Sequence, residues 1–302
     1  MALKDIKAKI QATKRMHTVT RAMEAVSAAK MRKTQEAAFR GRAYARAALS
    51  ILARLSGSTE VKAHPLTEQR DIKNTALVVI TSDRGLAGAL NSSVIKAAAK
   101  AIEGRAADSI RIYAYGRKGE EYFRSRGYTI VRAIENRQDD IQLSTMQELS
   151  QELSAGFLAG DFDQVLAAYS DFRSTFEQTP TVRTLLPLKL EDIGTIVEHI
   201  RPARGKWSSE PVLESPDAYS IEPSAEEVLS LLIPRLVAVS LYFMLLEAKA
   251  SEHSARMVAM KNASDKSKER TRDFTRLYNK LRQAAITREV SEIVGGREAL
   301  AV

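Results

Sequence analysis

The sequence predicts an α/β plus long coiled-coil fold: a Rossmann-like α/β domain inserted between the arms of an antiparallel two-helix coiled coil. Three observations carry this expectation. Residues 3 to 55 contain no proline and a single glycine, Gly41. From Ser224 to Val294 only Pro234 interrupts a helix-forming composition. Between these stretches short β-branched runs alternate with helical ones, the pattern of a mainly parallel sheet covered by helices. The expected division is 1–58 for the first long helix, 70–212 for the α/β domain and 218–302 for the second long helix.

The first helix is rich in Ala, Lys, Arg, Met and Gln, all strong helix formers. Ile6, Ile10, Met16, Val19, Met23 and Val26 fall at steps of three and four or their sums, which marks one apolar stripe. Ala22, Ala25, Ala28 and Ala29 would let a partner axis come close. Gly57-Ser58-Thr59 is the expected stop. Such a helix extends about 75 Å at 1.5 Å per residue, so it must pack against another long element.

That partner comes from the far end. In "EPSAEEVL", Ser224 and Glu227 have the spacing of a capping box. Pro234 costs about 3 kcal/mol inside a helix, so a kink or restart is expected near residue 230. Phe274, Leu277, Leu281 and Ala284 continue the stripe, and Gly295-Gly296 is the expected end. The stretch "KNASDKSKERTRD", 261–273, is almost wholly polar and is expected to be solvated. In the middle, strands are expected at 75–82, 109–116, 128–134, 163–172 and 181–188, with helices at 89–103, 117–126 and 143–159. A Pro/Gly/Ser-rich piece, 202–216, links back to the second long helix. No internal repeat is visible.

Composition narrows the function. The 302 residues contain no cysteine, which excludes disulfides and thiolate metal sites and suits a reducing compartment. No apolar run approaching the roughly 18 residues of a membrane span is read, and no signal peptide. The net charge of +9 is uneven. The first 55 residues carry thirteen basic and three acidic side chains, and residues 247–302 carry twelve and eight. The middle is net acidic. Such basic arms suit nucleic acid, an acidic membrane surface or an acidic protein, or they are simply solvated helix faces.

The turn Asp83-Arg84-Gly85-Leu86-Ala87-Gly88-Ala89 follows a strand and opens a helix, as a phosphate cradle would. It has neither the lysine of a P-loop nor the three-glycine dinucleotide spacing. A structural turn is the better reading. His17, His64, His199 and His253 are scattered without ligand spacing. Glu120-Glu121 and Asp139-Asp140 are adjacent pairs that do not converge, and Ser82-Asp83 has no nearby base. Nucleic-acid binding by a basic coiled coil stays open, although only Phe39 and Tyr44 could stack on bases before residue 60. At the far end, Gln283, Thr287, Val290 and Val294 lie on one stripe, with Arg282, Ile286, Glu289 and Ile293 one position earlier. This mixture fits either a tip enclosed by another protein or ordinary surface polarity.

Three ordered blocks carry a resemblance. "TVTRAMEAVSAAKMRKTQ" (18–35), "TSDRGLAGALN" (81–91) and "SEHSARMVAMKNAS" with "YNKLRQAAITREVSEIVGG" (251–264, 278–296) resemble the gamma subunits of F-type ATP synthases, over nearly the whole chain. Ala87 stands where many members have Cys and Ala25 where Met is common. Ser264-Asp265-Lys266-Ser267 varies the usual Thr-Asp-Asn-Ala, and the chloroplast cysteine insertion is absent.

The resemblance implies a non-catalytic rotor shaft, with no cofactor, nucleotide or metal of its own. Its partners would be alpha and beta subunits, an epsilon subunit and a membrane c ring, at the cytoplasmic face of a bacterial membrane. By motif it implies beta-subunit contacts at Met23, Arg256, Arg282, Gln283, Thr287 and Glu289. It also implies a foot contact, to the c ring or epsilon, at Tyr219 and Glu222.

Overall fold

The computed structural model describes residues 3–55, 64–136, 143–189 and 224–299. The elements run α1 (Leu3–Leu55), β1 (Thr75–Ile80), α2 (Leu90–Ala101), β2 (Ile110–Tyr115), α3 (Arg117–Arg124), β3 (Thr129–Ile134), α4 (Leu143–Ala159), β4 (Gln164–Phe172), β5 (Gln178–Leu186) and α5 (Ala225–Ala299). The chain divides into two compact units, residues 27–256 and residues 1–26 with 257–302.

In the larger unit the sheet order is β3-β2-β1-β4-β5. The first four strands are parallel, and β5 returns antiparallel on β4. Every residue of β1 is buried, as a central parallel strand covered on both faces requires. Its side chains alternate between two cores. Ala76, Val78 and Ile80 face α4 and the first part of α5, through Met146, Leu149, Leu153, Leu236 and Phe243. Leu77 and Val79 face α2 and α3, through Val94, Ala98, Ile102 and Phe123.

Several expectations are corrected here. The apolar stretch early in α5 is long and apolar enough to cross a membrane. Leu229, Ile233, Leu236, Val237 and Phe243 are nonetheless core residues of this unit. The helix also runs through Pro234 without a restart. Proline deprives the carbonyl four residues back of its donor. That residue, Ser230, is exposed, and buried Ile233 and Leu236 hold the turn in place. At the helix start Ser224 caps as expected, its Oγ accepting the Glu227 N–H at 3.2 Å. Gly295-Gly296 does not stop α5, which continues to Ala299. Two glycines cost about 1 kcal/mol each in a helix and do not by themselves break one.

In the smaller unit the two long helices run antiparallel. Lys9 Nζ lies 5.9 Å from the Phe274 ring centre, Thr271 Oγ1 donates to Thr13 Oγ1 at 3.0 Å, and Ser264 Oγ is bonded to His17 Nδ1 at 2.9 Å. The regularly spaced covered positions of α1 are Leu3, Ile6, Ile10, Thr13, His17, Thr20 and Glu24, and those of α5 are Met260, Ser264, Ser267, Thr271, Phe274, Tyr278, Leu281 and Ala285, with Met23, Met257, Val258, Ala259 and Ala263 half-buried beside them. Both follow the alternating three-four spacing of a coiled-coil seam.

The seam shares Ile6, Ile10, Phe274 and Leu281 with the stripe the sequence suggested, and Met23 is half-buried, but the two differ elsewhere. Met16, Val19 and Val26 are 54–55% exposed, and Ala22, Ala25, Ala29, Leu277 and Ala284 also face outward. The polar stretch 261–273 is only partly solvated, since Ser264 and Ser267 are buried.

Candidate functional site

The turn after β1 is closed by the chain's own side chains. Ser82 N–H donates to Asn91 Oδ1 at 3.0 Å, and Asn91 Nδ2 donates to Ser82 Oγ at 2.8 Å. Buried Asp83 accepts the Arg117 N–H at 2.8 Å with one oxygen and the Asn136 N–H at 2.9 Å with the other. The first backbone donor of α3 therefore goes to a carboxylate of the fold, and the turn that opens α2 is pinned through Ser82 and Asn91. Gly116 lies at φ 100°, and a Cβ there would collide with the Thr81 carbonyl. Thr81, Asp83, Gly116 and Asn136 thus clamp the ends of β1, β2 and β3 together. Among the described residues no group of three or more metal-ligating side chains occurs.

The residues singled out from sequence fall into separate places. Arg256 is buried; it donates to Glu252 Oε1 at 2.7 Å and lies 3.4 Å from the Gly85 carbonyl. Next to it the turn lifts Leu86, at φ 65°, into solvent. Met23 is half-buried. Arg282, Gln283, Thr287 and Glu289 are all exposed on one stretch of α5, together with Ile286, Val290, Ile293 and Val294. Past Ala285 the seam spacing ends, and every residue through Val294 faces solvent. Tyr219 and Glu222 lie outside the described residues.

Two features escaped the sequence reading. The outward stripe Met16, Val19 and Val26 is apolar surface on a helix whose covered stripe includes Thr13, His17, Thr20 and Glu24. The pairing of His17 with Ser264 and of Thr13 with Thr271 was the signal that could have exposed it. The β4–β5 turn also carries Phe176, 81% exposed. Isolated exposed apolar residues are ordinary, but stripes of them mark surfaces that meet other molecules.

The chain matches the family described as ATP synthase over residues 2–300. It is 37% identical over 301 residues to the ATP synthase gamma chain of Staphylococcus saprophyticus, covering 99% of each chain. It is 40% identical over 302 residues to that of Roseiflexus castenholzii, covering 99% of this chain and 98% of the relative. Among solved structures it is similar to a chain of the central stalk and c ring of the Tetrahymena thermophila mitochondrial ATP synthase, at TM-score 0.60 and 26% identity. That match covers 82% of this chain and 99% of the other. A chain of the Euglena gracilis mitochondrial ATP synthase shares the fold at TM-score 0.66 and 18% identity, covering 99% of this chain and 94% of the other.

Proposed function

The chain belongs to the ATP synthase gamma-chain family, and from that premise we propose that it is the rotating central stalk of a bacterial ATP synthase. It couples ion flow through the membrane c ring to ATP synthesis or hydrolysis at the beta subunits. Its partners are the alpha and beta subunits of the head, the epsilon subunit and the c ring. It works as a peripheral component at the cytoplasmic face of the membrane and carries out no chemistry itself.

The observation that carries the proposal is the bare end of α5. A helix whose Ile286, Val290, Ile293 and Val294 stand in water beside Arg282, Gln283, Thr287 and Glu289 is a surface fitted to a surrounding protein. Apolar walls give contact without direction, so a shaft can slide past them. A few hydrogen bonds or ion pairs, each worth about 0.5–3 kcal/mol net, mark preferred angles without locking them. Gln283, Thr287, Arg282 and Glu289 are proposed as those marks. Met23 joins them beside the exposed stripe of α1. A contact from Arg256 to an acidic beta loop would compete with Glu252 for the same guanidinium.

A tagged chain expressed with alpha and beta subunits should bring both down, and Gln283→Leu should slow ATP turnover while leaving that complex assembled. Failure of the unaltered chain to retain alpha and beta would overturn the reading.

A further inference from the structure

Residues 243–254 form an uninterrupted buried run of α5 inside the larger unit. A helix covered on every side is ordinarily apolar all round. This one carries Glu247, Lys249, Glu252 and His253 within the buried run and Arg256 just beyond it, all buried. Burying such groups disfavours folding unless each is met by a partner, and an apolar residue of similar volume would usually serve stability better.

Several of the partners are backbone carbonyls on β4 and in the segments that follow β1, β3 and β4. Lys249 Nζ donates to the Asn136 carbonyl, just past β3, at 2.8 Å. Ser251 Oγ donates to the Ser170 carbonyl on β4 at 3.0 Å. Ser254 Oγ donates to the Thr175 carbonyl in the β4–β5 turn at 2.7 Å. Arg256, held by Glu252 at 2.7 Å, faces the Gly85 carbonyl after β1. With about 3.6 residues per turn, Glu247, Ser251 and Ser254 point to one side of the helix while Lys249 and Arg256 point to the other.

We propose that residues 247–256 form a polar key that sets the angle of α5 about its own axis, so that torque passes between the α/β unit and the helix at this point. The key rests on the shaft reading and adds to it the place where load enters. Apolar ridges can settle into new grooves when a helix turns. Carbonyls anchored in a sheet accept hydrogen only from one direction, and turning α5 by one residue's spacing breaks these bonds and strands a buried ammonium. These are positioning residues, acting through the shaft on distant sites.

The test uses the assembled enzyme in vesicles, with ATP hydrolysis and ATP-driven ion uptake measured together. The unaltered chain should support both; if it supports neither, the shaft reading fails. Ser251→Ala combined with Ser254→Ala removes two directional bonds and little volume. It should retain hydrolysis while ion uptake per ATP falls about fivefold or more, the weight of one net hydrogen bond in a two-state balance. Lys249→Met should do the same. Leu246→Ala, at an equally buried apolar position, should lower thermal stability yet keep the normal ratio of uptake to hydrolysis. A normal ratio in the double-serine variant, or an equal loss in Leu246→Ala, would overturn the key and leave the shaft standing.

Discussion

At the scale of single residues, burial decides more than charge. Glu247 sits in α5 beside Tyr169 and Asp171 of β4 and Arg183 of β5. Burial above all, then the neighbouring Asp171, pushes its carboxyl up to about 8, against the opposing pull of Arg183, Tyr169 and Arg173. The ordinary value in an unfolded chain is near 4.5. Between these two values the folded protein holds a proton that the unfolded chain has released. Stability contributed by this group is therefore complete below about pH 4.5 and declines as pH rises through about 8. The melting temperature of the isolated chain should fall between pH 5.5 and 8.5, and Glu247→Gln should flatten that slope; an unchanged slope would mean the carboxyl is ionised in the fold. Gly116 poses a sharper constraint. Gly116→Ala combines a positive φ with a clash against the Thr81 carbonyl and should destabilise the chain by about 3 kcal/mol or more, measurable by urea denaturation.

At the scale of elements, the period of each helix and strand was legible in the sequence, and its phase often was not. All five strands and their helices were readable from the strand-helix alternation, most clearly β1, β2 and β4, whose buried places in the sheet need continuous apolar runs. In α1 hydrophobicity placed Ile6 and Ile10 correctly on the covered stripe but wrongly added Met16, Val19 and Val26 to it. Thr13 and His17 bond Thr271 and Ser264 across the helix pair and buried Thr20 donates within its own helix, while Met16, Val19 and Val26 are left outside. A sequence cannot tell apolar surface kept for another chain from apolar surface kept for its own core. Gly295-Gly296 and the restart expected at Pro234 misled for a related reason, since local propensity yields to packing and to a long helix's cooperativity. The polar pairs within the seam also predict their own energetics. Replacing both members of a bonded pair by apolar residues of similar shape is neutral or favourable. Thr13→Val with Thr271→Val should therefore leave the melting temperature unchanged or raise it. A proline at the half-buried seam position Ala285 costs about 3 kcal/mol and should abolish ATP synthesis in the assembled enzyme.

At the scale of the whole molecule, the surfaces left uncovered define what the chain must meet. The candidate contact residues at the end of α5 were legible only through a family motif, because Arg282, Gln283, Thr287 and Glu289 are individually ordinary surface side chains. Their distinction is the company of Ile286, Val290 and Ile293, which none of the described residues covers. That arrangement separates two quantities that usually move together, stability of the chain and activity of the complex. Val290 and Ile293 are 53% and 72% exposed, so charged substitutions there touch no core. Ile293→Glu and Val290→Glu should change the unfolding free energy of the isolated chain by no more than about 0.5 kcal/mol, the range typical of surface positions. In the assembled enzyme the same changes place a carboxylate against an apolar wall, and ATP synthesis should fall steeply, with alpha and beta retained less well in a pull-down. Exposed polar neighbours such as Arg288 supply the control, since Arg288→Gln leaves the apolar stripe intact and should spare both measurements. If Ile293→Glu supported wild-type synthesis, the bare end of α5 would be solvated in the working enzyme, and the surrounding wall would have to lie elsewhere along the helix.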